Sequence, residues 1–150
     1  MPHVLEIYRH SEDFLALGPV PHAFMEMVEA DIEKSGRCGG RFCVIENLAG
    51  VPIGVLDFAL HQSARMAFLE LLMIAREHRR KRYGGSVVAS LQGYLRQRHG
   101  TRRIDAGVQA NNVPGIRFWK SCGFRIDVTP HALADGTEAY DMSKKLDKRL

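Results

Sequence analysis

The chain has 150 residues, 45% hydrophobic and 25% charged, with 14 Gly and 6 Pro, the proportions of an ordinary globular domain. Lys and Arg outnumber Asp and Glu by 21 to 17, no apolar run approaches the ~20 residues that span a bilayer, and MPHVLEIYRHSED lacks the apolar block of a secretory signal. Composition excludes disorder, the missing apolar run excludes a membrane span, and Cys38, Cys43 and Cys122, odd in number and without CxxC spacing, exclude a disulfide scaffold. The expectation is one domain over residues 1–150, with reduced thiols, in the cytoplasm.

In chain order, His3 to Arg9 alternates around Val4, Leu5, Ile7 and Tyr8 and predicts a strand. Ser11, followed by Glu12 and Asp13, predicts a helix start, since a hydroxyl accepts from the orphan amides there. Pro21 to Ser35 puts Phe24, Met27, Val28 and Ile32 on one helical face, with Gly36 as the stop. Arg41–Glu46 and Val51–Leu60 read as a hairpin around Asn47-Leu48-Ala49-Gly50. Ala64 to Ile74 is a further strand. Ser86 to His99 carries Val87, Val88, Leu91, Tyr94 and Leu95 at helical spacing and ends at Gly100. Arg103–Gln109 is a short strand, Asn111-Asn112-Val113-Pro114 opens a short helix, and Gly123 ends it. Phe124–Val128 and Thr137–Ser143 form a last hairpin around Pro130 to Gly136. The sum is an α+β domain on one mixed sheet, an antiparallel front half feeding a β-α-β-α-β rear half.

The informative segment joins the apolar strand to the helix through Arg79-Arg80-Lys81-Arg82-Tyr83-Gly84-Gly85. A strand that enters a helix through a glycine-containing turn presents free N–H groups and the positive helix end to an anion. Each cation at such an end is unfavourable by a few tenths to ~1 kcal/mol without an anion. Four of them in a row point to an anionic ligand. GxxxxGK and GxGxxG are absent, so neither a Walker loop nor a dinucleotide fingerprint is present. A solvated basic turn, a nuclear-targeting tag and a nucleic-acid module stand as alternatives. Nucleic acid is the weakest partner, because no RNA-recognition signature and no aromatic-interleaved basic strand accompanies the run.

This segment resembles the acyl-CoA signature of the GNAT superfamily of N-acyltransferases, Gln/Arg-x-x-Gly-x-Gly/Ala. Arg79 matches its first position and Gly84 its last, while Arg82 replaces the middle glycine. Asn112-x-x-Gly115-x-x-x-Trp119-x-x-x-Gly123-Phe124 is similar to the family's downstream Asn-x-x-Ala/Gly-x-x-x-Tyr-x-x-x-Gly-Phe. The resemblance implies a GNAT-like fold and acetyl transfer from acetyl-CoA to an amine acceptor, with no metal. It assigns the coenzyme pyrophosphate to Arg79, Arg80, Lys81, Arg82, Tyr83, Gly84 and Gly85. It pairs the pantetheine arm with Leu72, Met73 and Ile74, whose end amides polarise the thioester, and brings Asn112 and Trp119 to that arm. Dimers are common in such folds, which makes a homodimer compatible with it.

The chemistry requires an ammonium, with an ordinary pKa near ~10.4, to lose a proton before attack. Glu70 is the preferred base, directly or through a water, with Asp57 in reserve; an edge-of-sheet or ion-paired Glu70 is the structural alternative. The family's tyrosine acid falls on Trp119, whose indole N–H is no acid at neutral pH, leaving a water, Tyr140 or Cys122 to protonate the thiolate. Asn112 serves equally as a helix cap. Glu26 or Glu29 would meet a cationic acceptor. No HExxH, HxxxH or GxSxG occurs, which disfavours a metal site and a hydrolase and favours direct attack in a ternary complex. A non-catalytic acyl-CoA-binding domain is the rival that Arg82 and Trp119 motivate.

Overall fold

The computed structural model describes residues 2–146. Helix α1 spans Pro2–Arg9, where the sequence suggested a strand. The buried Val4, Ile7 and Tyr8 follow i, i+3, i+4 spacing and form one helical face, whereas alternation would put Val4 and Ile7 on opposite faces. Helix α2 is Glu12–Leu15, and Ser11 precedes it as expected. The Ser11 hydroxyl caps nothing in α2, however, but donates back to the Ile7 carbonyl at 2.8 Å. Helix α3, Met25–Arg37, starts later than Pro21 and runs through Gly36.

Strands β1 (Gly40–Glu46) and β2 (Pro52–His61) pair antiparallel with Phe42 opposite Asp57. Asn47 closes their turn, its side-chain oxygen accepting from the amides of Ala49 at 2.9 Å and Val51 at 3.0 Å. Strand β3 is Met66–Ile74, helix α4 Tyr83–His99, strand β4 Arg103–Gln109 and helix α5 Val113–Ser121. Strands β5 (Arg125–Ile126), β6 (His131–Ala132) and β7 (Glu138–Lys145) complete the chain. The seven-stranded sheet has the order β1-β2-β3-β4-β7-β5, with β6 beside β7. The β3–β4 pair is parallel, and β7 is antiparallel to β4, β5 and β6. This is the mixed α+β class expected, with the rear β3-α4-β4-α5-β5 alternation in place.

The chain forms two compact units, Met1–Ala59 with Glu70–Gly84 and Leu60–Leu69 with Gly85–Leu150. The first is built on Val4, Ile7, Tyr8, Val28, Val55, Met73 and Ala75, with Leu71 and Met27 packed against them. In the second, Leu91, Leu95, Ile104, Ala106, Val108 and Met142 are buried, and Trp119 meets Phe118 and Phe124 edge-on at 4.9 and 5.1 Å. No described helix is long and apolar enough to cross a membrane.

Candidate functional site

Strand β3 delivers the chain into a 3-10 turn, Arg76–His78, and then into the basic run before α4. Arg80 and Arg82 stand in the left-handed region, at φ 60° and 66°. For a residue with a Cβ that conformation costs ~1–2 kcal/mol. Arg82 therefore holds the backbone shape for which the resemblance has glycine, while Arg80, which the sequence did not mark for an unusual backbone, holds a second. The side chains of Arg80, Lys81 and Arg82 are exposed and make no hydrogen bond or ion pair among the described residues.

Arg79 differs. Its two terminal nitrogens grip the Asp13 carboxylate, Nη1 on Oδ2 and Nη2 on Oδ1 at 3.1 Å, and its Nε donates to the Ile74 carbonyl at 2.7 Å. Burial would raise the Asp13 pKa, but the Arg79 hydrogen bonds and charge prevail and hold it below the usual carboxylate range. Beside this pair the Arg76 amide donates to the His10 carbonyl at 2.8 Å, and His10 Nδ1 lies 2.6 Å from Glu77 Oε1. The sequence offered Asp13 only as part of a helix start.

Glu70 lies on an exposed position of β3, 3.5 Å from Lys34 Nζ, so it both faces solvent and has a partner. Asp57 is only 4% exposed, and its Oδ1 accepts from the Ser35 hydroxyl at 2.6 Å. Gly40 makes room for that pair, since a Cβ there would lie 2.5 Å from Ser35 Oγ. Burial pushes the Asp57 pKa up, the Ser35 hydrogen bond offsets part of the rise, and the charges of Glu70 and Asp31 add to it. Asp31, accepting from the Tyr8 hydroxyl at 2.8 Å, is likewise raised, chiefly by burial. Asp31, Asp57 and Glu70 thus form a mutually repelling set within the first unit, with Lys34 the cation among them. Burial and this repulsion favour the protonated forms of Asp57 and Asp31.

Leu72, Met73, Ile74 and the loop through Gly84 belong to this same unit, whereas Gly85, Asn112 and Trp119 belong to the other. There Asn112 Oδ1 accepts from the Gly115 amide at 3.0 Å, the geometry of a helix cap. Trp119 is buried in its aromatic cluster, and Tyr140 is half-buried on β7. Burial pushes the Cys122 thiol up, against the Ser121 hydrogen bond and the Lys144 charge. Glu26 and Glu29 are exposed on α3. Among the described residues no three His, Cys, Asp or Glu side chains gather as a metal site.

The seven-stranded mixed sheet in this order, with β3 entering the long helix α4 through a turn, is the fold of the acetyltransferases. The chain matches the family model described as "Acetyltransferase (GNAT) family" over residues 4–124, and it belongs to that family. It has no significant sequence match among curated proteins. It is similar to an acetyltransferase from Thermus thermophilus, with a TM-score of 0.75 and 24% identity over 97% of this chain and 90% of that one. It is also similar to a spermidine N-acetyltransferase from Vibrio cholerae, in complex with CoA and spermine, with a TM-score of 0.72 and 15% identity over 94% and 88%. A dodecameric structure of a Vibrio cholerae spermidine N-acetyltransferase aligns at a TM-score of 0.63 and 18% identity over 81% and 73%. At these identities the likeness is one of fold.

Proposed function

We propose that the protein is a cytoplasmic N-acetyltransferase that moves an acetyl group from acetyl-CoA to a primary amine by direct attack in a ternary complex. The observation that carries this reading is the turn at Arg80 and Arg82. Both residues take the left-handed backbone, and with Lys81 they present three uncommitted cations at the opening of α4. Free amides and positive charge gathered there fit a pyrophosphate. Along Leu72, Met73 and Ile74 the strand would pair with the pantetheine arm through the amides of Leu72 and Ile74, on the side away from β2, and polarise the thioester carbonyl. Those of Ala75 and Arg76 are already bonded to Ile53 and His10.

In the reaction Glu70 takes a proton from the ammonium, and the freed amine lone pair attacks the thioester carbon. The oxyanion collapses with loss of the C–S bond as the attacking nitrogen gives up its second proton, which is passed to the departing thiolate through water, Tyr140 or Cys122. Asp57, with its raised pKa, is the reserve base, and the neighbouring carboxylates favour a cationic acceptor. Asn112 and Trp119 keep the pantetheine contacts that the resemblance gives them. The buried Trp119 in place of the family's tyrosine favours one rival, a domain that binds acetyl-CoA without turnover.

Acetyl-CoA at ~100 times its Kd adds about 2.7 kcal/mol, which at roughly 2–4 °C per kcal/mol raises the melting temperature by about 5–11 °C. An adenine dinucleotide is the control, and its equal effect, or no shift at all, would sink the coenzyme site. Release of CoA thiol with a panel of alkylamines, spermidine included, separates transfer from binding. Glu70→Gln is expected to lower kcat by about 10²-fold at unchanged coenzyme affinity.

A further inference from the structure

The first residue of the coenzyme signature is turned into the protein. Arg79 shares its guanidinium between the Asp13 carboxylate and the Ile74 carbonyl. One group thereby ties helix α2 to the end of β3 and to the first residue of the turn. Two further links lie beside it, Arg76 N to His10 O at 2.8 Å and His10 Nδ1 to Glu77 Oε1 at 2.6 Å. The corner between α1 and α2 grips residues 76–79 at three points. The left-handed Arg80 and Arg82 follow one and three residues later. A strained backbone persists only where its surroundings over-determine it, and this corner supplies the neighbouring restraint.

We propose that Asp13 is a positioning residue for the coenzyme, holding Arg79 so that the turn from 79 to 84 stays in its anion-accepting shape. The proposal rests on the acetyl-CoA reading above and concerns a carboxylate that does not itself touch the coenzyme. Once Asp13 no longer holds Arg79, the turn samples other shapes, and the apparent Kd rises as the competent fraction falls. Simple electrostatics gives the opposite sign. Removing a negative charge near a site for a polyanion would tighten binding.

The test compares full-length wild type with Asp13→Asn, Asp13→Glu, Arg79→Met and the Asp13→Asn, Arg79→Met double variant, each well below its melting temperature. Acetyl-CoA affinity is read by calorimetry, together with KM for each substrate and kcat. Asp13→Asn is expected to weaken acetyl-CoA about tenfold, with kcat at saturation and the amine KM unchanged. The double variant is expected to bind no worse than Arg79→Met, because the two side chains act as one unit. Asp13→Glu, which keeps the charge, should recover part of the affinity. Amide exchange across residues 74–82 in the free protein should accelerate in Asp13→Asn, a readout independent of turnover. Equal or tighter acetyl-CoA binding by Asp13→Asn overturns the proposal, as do additive losses or unchanged exchange. A wild type that fails to bind acetyl-CoA overturns the functional reading itself, and the positioning role with it. Where Asp13→Asn does not fold, Asp13→Glu carries the test, with full wild-type affinity and exchange as the overturning result.

Discussion

The two helices that follow the central strands begin in opposite ways. Helix α5 starts satisfied: Asn112 accepts from the Gly115 amide, Pro114 occupies the first turn, and a Cβ at Gly115 would come within 2.3 Å of the Asn112 amide nitrogen. Its far end is closed too, where Lys144 Nζ donates to the Cys122 carbonyl at 2.6 Å and to Gln92 at 3.2 Å. Helix α4 starts from Arg82, a side chain with donors and no acceptor, on a left-handed backbone and at the positive end of the helix dipole. The first helix end is stable within the protein. The second carries unpaired positive charge at the positive end of the helix, which the coenzyme phosphates would offset on the function proposed above.

That contrast is sharpest under Arg80→Gly with Arg82→Gly. Acetyl-CoA affinity should fall about tenfold or more as two charge-assisted contacts are lost. The free protein should gain about 1 kcal/mol, because relief of ~1–2 kcal/mol at each left-handed residue exceeds the added unfolded-state freedom of glycine. Calorimetric melts and titrations should therefore move in opposite directions, and losses in both would erase the distinction between the two helix starts. Asn112→Ala comes next. It should cost about 1 kcal/mol, or ~2–4 °C of melting temperature, from the lost cap, and raise the acetyl-CoA KM from the lost pantetheine contact. An unchanged acetyl-CoA KM in this variant would leave the cap as the whole role of Asn112.

The smallest effect is one of pH at a different place, the buried carboxyl of Asp57, which Ser35 holds by a hydrogen bond. Its folded pKa lies above its unfolded value, so its favourable contribution is full below the ordinary aspartate range near ~3.9 and is lost as pH rises through the raised pKa. Asp57→Asn removes that dependence while keeping an acceptor for Ser35. Measured by denaturant unfolding, its stability relative to wild type should improve as pH rises above the ordinary aspartate range near ~3.9. A constant difference would mean that Asp57 titrates alike in both states.

What the sequence carried was local. Strand β4 occupies the expected residues, Asn112 caps as one of its two expected roles, and the backbone at Arg82 has the shape that the glycine pattern implies. Helix α1 was legible in the spacing 4, 7, 8, which cannot alternate, but the span is short and Val4, Ile7 and Tyr8 are strand-favouring residue types. The restraint on the turn was illegible for another reason. Asp13 and Arg79 are 66 positions apart, and no spacing rule joins them. Ser35 and Asp57, 22 apart, meet only because α3 packs on the β1–β2 hairpin. Left-handed arginine at position 80 runs against the residue preference that a reader of sequence applies.

The exposed trio Arg80-Lys81-Arg82 also has a meaning for handling the molecule. Three consecutive basic side chains standing clear of the surface form the cleavage motif of trypsin-like proteases, which act at accessible surface turns. The segment where the coenzyme is expected to sit is thus also one where the free chain is open to a nick. Resistance to such a nick would report occupancy on a gel, without any assay of the reaction.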